Sequence, residues 1–303
     1  MTALTDPPTG AEHALQRGRQ RLVVSETGGG ARSWTVGGVE LLASFPPGTR
    51  DNDFAGKPLM PWPNRLRDGR YAFEGSEHRL EVSEPETGSA LHGLTLYSRW
   101  QGVRSSAHGV TLVHELRGRQ GYPFALQLAV AYELESDGIA VTLRATNAGS
   151  GRAPFGTGVH PYLTFGTESV DDVALEVPAR TQVPVDEHKL PTGPPVGVEG
   201  TSLDFRRRRR LGDQSLDTCF ADLEPGPGGG ASVTLTAPGG TRRIVVWMDD
   251  AFRFVQVYTA RGAIAVEPMT CAPDAFNTGD GLLVLEPGAS FTSRCGMSAS
   301  GYP

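Results

Sequence analysis

Residues 125–132 read ALQLAVAY and residues 139–144 read IAVTLR, with Asp137-Gly138 between them. Apolar side chains recur at every second position in both runs, so each can bury one face as a strand. Asp-Gly between two such runs is a tight hairpin signal. Comparable short runs recur at 22–24, 34–36, 100–104, 110–116, 170–177, 232–237, 243–248 and 252–258. No segment keeps a helical period for more than about two turns. The chain also carries 39 Gly and 23 Pro among 303 residues, well above the usual combined share of roughly 12%. Many short strands joined by many turns predict an all-β fold, a large antiparallel β-sandwich. No composition break marks a domain boundary, so residues 19–303 are expected to form a single domain. Residues 1–18, polar and bearing Pro and Gly, read as a disordered or loosely docked tail.

Charge narrows the partners. The formal net charge is −6, which does not suit a polyanion, so no nucleic acid is expected. Basic residues are nearly all arginine, the lysines being Lys57 and Lys189. The five arginines at 206–210 lack the interleaved aromatics of a single-strand binder and read as a solvated edge or loop. Cys219, Cys271 and Cys295 show no CxxC spacing, so neither a disulfide framework nor a zinc site is indicated. The N-terminal segment lacks a long apolar stretch, and no apolar run approaches the roughly 20 residues of a membrane span. A soluble, cytoplasmic protein with no membrane association is expected.

The stretch 263–287 carries the most suggestive chemistry. Ile264-Ala265-Val266 runs straight into Glu267 and then Pro268. Proline removes a ladder donor, so the strand is expected to stop or bulge there, holding a carboxylate at its end. His160 stands in GTGVHPYLTF, also followed directly by a proline, and Tyr162 shares its face if the strand period holds. Residues 59–70 read as a loop stiffened by Pro61 and Pro63, anchored by Trp62 and presenting Asn64-Arg65. Taken singly, each residue has a plain structural reading: Glu267 a strand-end acid, His160 a hydrogen-bonded core histidine, Arg65 a surface arginine, His92 a turn residue, Asp217 a cap.

Taken together and in order, these elements resemble the aldose 1-epimerases, or galactose mutarotases. The resemblance rests on Asn64-Arg65-Leu66-Arg67-Asp68-Gly69, Leu91-His92-Gly93, His160-Pro161-Tyr162 and Pro191-Thr192-Gly193. It continues through Gly200-Thr201, Asp204-Phe205-Arg206, the Asp-x-x-Phe of Asp217 and Phe220, and the Val-Gln-x-Tyr-Thr of Val255 to Thr259. It ends with the run from Glu267 through Pro273-Asp274-Ala275 to Asn277. It covers the chain from about Arg21 to its C-terminus.

The resemblance implies an isomerase that interconverts the α and β anomers of a free aldose such as glucose or galactose. It implies His160 as general acid and Glu267 as general base. Asn64, Arg65, His92, Tyr162, Asp217 and Gln256 would bind the sugar hydroxyls, with neither cofactor nor metal. Those residue types suit the chemistry. Opening a pyranose hemiacetal removes a proton from the C1 hydroxyl and delivers one to the ring oxygen, so an acid and a base must flank the anomeric centre together. The chain departs from the commonest pattern at Pro61-Trp62-Pro63, at Leu94-Thr95 and at Pro268, Met269 and Cys271, which puts the identity of the sugar in question. A hexose-6-phosphate 1-epimerase, with Arg67, Arg70 or Arg99 taking the phosphate, and a non-catalytic carbohydrate-binding protein are the competing readings. The oligomeric state is left between monomer and homodimer.

Overall fold

A computed structural model of the chain describes residues 7–43, 45, 54–226 and 228–302. Among these, almost every regular element is a strand; the one α-helix is the single turn Ala275–Thr278. Two large antiparallel sheets form the sandwich. The first runs Gln101–Ser105, Gly109–Leu116, Leu126–Leu134, Gly138–Asn147, Ser290–Ser300, Arg243–Met248, Ala231–Thr236, Ala174–Glu176, Arg209–Arg210. The second runs Val196–Gly197, Ala179–Gln182, Asp217–Leu223, Phe254–Ala260, Ala263–Met269, Gly158–Val159, Pro58–Leu59, with Tyr162–Leu163 also paired to Ala263–Met269. Leu112, Val130, Leu143, Val233 and Val246 from the first sheet share one apolar core with Val255, Val257, Ile264 and Val266 from the second. The turn at Asp249-Asp250 carries the chain from one sheet to the other.

The alternation in 125–132 translates directly: Leu126, Leu128, Val130, Tyr132 and Leu134 are buried, and Val130 pairs with Leu143. The Asp137-Gly138 turn forms, closed by Glu135 N–H donating to the Gly138 carbonyl. Glycine is needed at 138 for a different reason than a turn conformation. A Cβ there would lie 1.9 Å from the Met297 carbonyl oxygen of the neighbouring strand. The arginine run forms an edge, as expected: Arg206 pairs with Asp204, Arg210 with Asp172, and Arg209 lies over the Phe205 ring.

Three expectations change. Glu12–Arg17, assigned to a loose tail, is an edge strand paired along its length with Gln20–Ser25. Only its Leu15 is buried, so backbone pairing carries it rather than an apolar pattern; residues 1–6 lie outside the described residues. Within 59–70, Arg65–Arg67 is a strand pairing with Ser89–Leu91. The strand holding Glu267 also does not stop at Pro268 but runs on to Met269. On the edge facing 157–161, Val266 N–H donates to the Pro161 carbonyl and Thr270 N–H to the Thr157 carbonyl. Alternation puts the nitrogen of Pro268 on this same edge, where no donor is needed because the ladder is already interrupted between Tyr162 and Gly158.

Candidate active site

The second sheet turns one face to the core and the other to a cleft of about 290 Å³. Period two does the sorting: Val255 and Val257 enter the core, while Gln256 and Tyr258 face the cleft. Gln256 stands directly opposite Glu267 on the adjoining strand and opposite Cys219 on the other side. All eight residues singled out in the sequence line this one cleft: Asn64, Arg65, His92, His160, Tyr162, Asp217, Gln256 and Glu267.

Two loops bring in the histidines. Asn64 and His92 both adopt left-handed backbone, with φ of 58° each, a conformation asparagine and histidine tolerate better than most residues. They lock together. His92 N–H donates to the Asn64 carbonyl, and Asn64 N–H donates to His92 Nδ1 at 3.0 Å. A neutral imidazole that accepts at Nδ1 carries its proton on Nε2, so His92 is a donor toward the cleft. Gly93 can only be glycine here, because a Cβ would lie 2.1 Å from the Met60 carbonyl oxygen. Trp62 anchors the proline-stiffened loop, its Nε1 donating to the Ala90 carbonyl and its ring set edge-on to Phe276.

His160 Nε2 lies 3.2 Å from Glu267 Oε1, and both side chains are almost fully buried. Tyr162 stacks on His160 with ring centroids 4.8 Å apart, and His92 meets His160 edge-on at 5.1 Å. His160 Nδ1 and Glu267 Oε2 are buried without a hydrogen-bond partner. Buried polar atoms are normally satisfied, so each partner of this contact keeps one polar atom available in a cleft. Burial lowers the His160 pKa to about 3 and pushes the Glu267 carboxyl well above the usual carboxylate range; Asp217 adds to the second shift and Arg65 opposes it. Burial, with the neighbouring His160 and Arg65, keeps His92 neutral as well. The two partners of the central contact titrate as a unit. Charge on either is disfavoured, so the resting pair holds one proton and no net charge.

Around this pair the polar groups form a chain. Asn64 Nδ2 donates to Gln256 Oε1 at 3.4 Å, Gln256 Nε2 donates to Asp217 Oδ1 at 2.6 Å, and Lys189 Nζ lies 3.6 Å from Asp217 Oδ2. Arg65 donates from Nε and Nη2 to the two oxygens of Glu84, at 2.6 and 2.8 Å. The Pro-Asp-Ala-x-Asn element buttresses this wall: Asp274 N–H donates to the Arg65 carbonyl, and Asp274 Oδ1 accepts from Arg67 N–H and from Asn277 Nδ2. By position, His92, His160 and Glu267 could hold a metal, with one ligand atom from each within 4.8 Å of the others.

Sequence reasoning missed Phe54, Glu84 and Tyr258 in the lining, and Lys189 behind Asp217. Tyr258 was within reach, two residues from Gln256 on the same face. Phe54 and Glu84 stand in irregular segments with no periodicity to expose them. The arginines suggested for a phosphate do not line the cleft. Arg67 is held by Asp274 and Asp186, and Arg99 contacts Glu26.

A β-sandwich with a buried imidazole–carboxylate pair at the floor of a polar cleft is the architecture that the comparisons must account for. The aldose 1-epimerase family model matches residues 13–298, and the chain belongs to that family. It is 34% identical over 288 residues to the uncharacterised protein YihR of Escherichia coli K12, covering 92% of this chain and 90% of that protein. It is 29% identical over 220 residues to the aldose 1-epimerase of the same organism, covering 70% of this chain and 62% of that enzyme. Among solved structures, the GalM/aldose epimerase homologue from C. elegans superposes with a TM-score of 0.85 at 18% identity, covering 96% of this chain and 99% of that one.

Proposed function

We propose that the protein is an aldose 1-epimerase that interconverts the α and β anomers of a free hexose, with His160 as general acid and Glu267 as general base. The observation that carries this reading is the buried His160–Glu267 contact, with an unpartnered polar atom on each side chain, at the floor of a hydroxyl-binding cleft. A sugar entering the cleft supplies hydroxyls to the orphaned atoms and parts the pair as imidazolium and carboxylate. Glu267 then takes the proton of the C1 hydroxyl, His160 gives its proton to the ring oxygen, and the C1–O5 bond breaks to leave the open aldehyde. Rotation about C1–C2 followed by the reverse transfers closes the other anomer. After ring opening His160 is neutral and Glu267 protonated. Burial favours that same state in the empty cleft, so the proton transfers discharge an ion pair where charge is costly. The donors aimed at the sugar are His92 Nε2–H, Arg65, and the amides of Asn64 and Gln256, with Asp217 as acceptor and Tyr162 packed on His160. The reaction draws on these side chains alone and needs no cofactor, and the enzyme is proposed to work in the cytoplasm on a small-molecule aldose.

The test is polarimetry of freshly dissolved α-D-glucose and α-D-galactose at neutral pH. An accelerated approach to the unchanged final rotation supports the reading, and no acceleration with either sugar refutes it for these hexoses. Hexose 6-phosphates are the weaker substrates, because Arg67, Arg70 and Arg99 stand outside the cleft. A protein that only bound sugar would have no use for an acid–base pair.

A further inference from the structure

One contact of the cleft reaches beyond its lining. Asp217 turns its oxygens to two different partners: Oδ1 accepts from Gln256 Nε2 at 2.6 Å, and Oδ2 lies 3.6 Å from Lys189 Nζ. Gln256 in turn accepts from Asn64 Nδ2 at 3.4 Å, and Asn64 N–H donates to His92 Nδ1. A file of polar contacts therefore crosses the cleft, and Lys189, which does not line it, stands at the outer end. A carboxylate held through one oxygen can pivot about that bond. A charged partner on the other oxygen stops the pivot.

The turn that carries Lys189 is built to keep it there. Asp186 Oδ1 accepts from the N–H groups of His188 and Leu190, Lys189 N–H donates to the Asp186 carbonyl, and Leu190 is buried. Arg67 ties this turn to the wall that carries Arg65. Its guanidinium lies 3.8 Å from Asp186 Oδ2, donates to the Pro191 carbonyl, and lies 3.4 Å from Asp274 Oδ2. Lys189 itself has a φ of 61°, left-handed backbone in which glycine or asparagine would sit with less strain. Its side chain is 43% exposed, and an ion pair so open to water adds little stability. Neither the turn nor the fold calls for a lysine at this position; Asp217 does.

Resting on the epimerase reading, we propose that Lys189 is a positioning residue for the reaction: its ammonium fixes the Asp217 carboxylate and, through it, the Gln256 amide in place for the sugar hydroxyls. Lys189 touches none of the reacting atoms, so its removal weakens binding and spares the proton transfers.

The experiment measures kcat and KM by polarimetry with freshly dissolved α-D-glucose and α-D-galactose, with Tm alongside, for the wild type, Lys189→Met and Lys189→Arg. Lys189→Met keeps a long stem without the charge. It is expected to raise KM roughly three- to fivefold, the upper end of what an exposed ion pair supplies, with kcat and Tm nearly constant. Lys189→Arg is expected to recover most of the loss. Lys189→Met is also placed in an Asp217→Asn background, with sugar affinity read by calorimetry so that the comparison does not depend on turnover. There it is expected to change nothing further. An unchanged KM in Lys189→Met would overturn this inference, and so would an equal loss of affinity with Asp217 already replaced. A lowered Tm that Lys189→Arg does not restore would make the lysine a part of the turn alone, overturning it as well. All three results leave the epimerase reading standing. No acceleration by the wild type with either sugar would remove that reading for these hexoses, and this inference with it.

Discussion

The two large sheets use the same strand chemistry for opposite ends. In the first, Asn147 is buried like Glu267 in the second, yet Asn147 satisfies its side chain entirely within the protein. Its Nδ2 donates to the Gly151 and Leu285 carbonyls, and its Oδ1 accepts from Gly149 N–H. It ties the end of one strand to the loops around it. Glu267 leaves Oε2 without a partner, faced by an equally unfinished His160. A buried polar group that is complete serves the fold, while one left incomplete costs stability. The comparison teaches that neither burial nor an unmet polar atom separates scaffold from site, since Thr236 and Ser293 of the first sheet also bury side-chain oxygens without a hydrogen-bond partner; what sets Glu267 apart is its contact with His160 at the cleft.

The largest effect should come from Glu267→Gln. It keeps the shape but removes the proposed base, and catalysed mutarotation should fall by roughly 10² to 10⁴ while the fold survives. Its stability should shift with pH, and the direction follows from both partners. Glu267 has a raised folded pKa, so its contribution is present below its ordinary value of 4.5 and is lost as pH rises toward the folded value. His160 has a lowered one, so its contribution is present above 6.5 and is lost as pH falls toward about 3. Between 4.5 and 6.5 the two slopes oppose and cancel. Above pH 6.5 only the Glu267 loss remains, so the Tm of Glu267→Gln should gain on the wild type from pH 6.5 to 8.5. A Tm difference that stays flat over that range would mean the carboxyl is not held protonated.

The first sheet should respond in the opposite sense. Leu143 is fully buried where the strands Leu126–Leu134 and Ser290–Ser300 flank its own. Leu143→Ala should cost about 2–5 kcal/mol in a urea titration while leaving the KM of the folded fraction unchanged. If KM rose several-fold, the two sheets would not be the independent scaffold and site that the comparison makes them.

How much of this division the sequence exposes depends on what each residue does. The alternation at 125–132 and 139–144 showed the first sheet, because a strand buried on one face writes its period into its residues. Glu12–Arg17 stayed hidden, since an edge strand with one buried side chain leaves no such period. In the site, Asn64, Arg65, His92, His160, Tyr162, Asp217, Gln256 and Glu267 were legible through short motifs in a fixed order, and the structure brings them to one cleft. What holds them there was not. Asp274 was visible as a motif, but its service to the backbone of Arg65 and Arg67 depends on contacts some 200 residues apart in the chain. The continuation past Pro268 was likewise unreadable, because it depends on a gap in the neighbouring strands.

The smallest effect, and the one that probes the site's supports, concerns Glu84. Its carboxylate holds Arg65 in a two-point grip and also accepts from the Thr87 hydroxyl. Glutamine preserves the shape but turns one acceptor into an NH₂ group that faces the guanidinium, so one arm of the fork is lost. Arg65 should then spend less time aimed at the sugar. The reacting atoms are untouched, so the loss should fall on binding: KM raised by up to about tenfold, or about 1.4 kcal/mol, with kcat nearly constant. Glu84→Asp, which restores the charge on a shorter arm, should recover part of the loss if charge sets the guanidinium's aim. A fall in kcat at constant KM would instead place Glu84 in the proton chemistry, and the boundary drawn between the catalytic pair and its supports would have to move outward to include it.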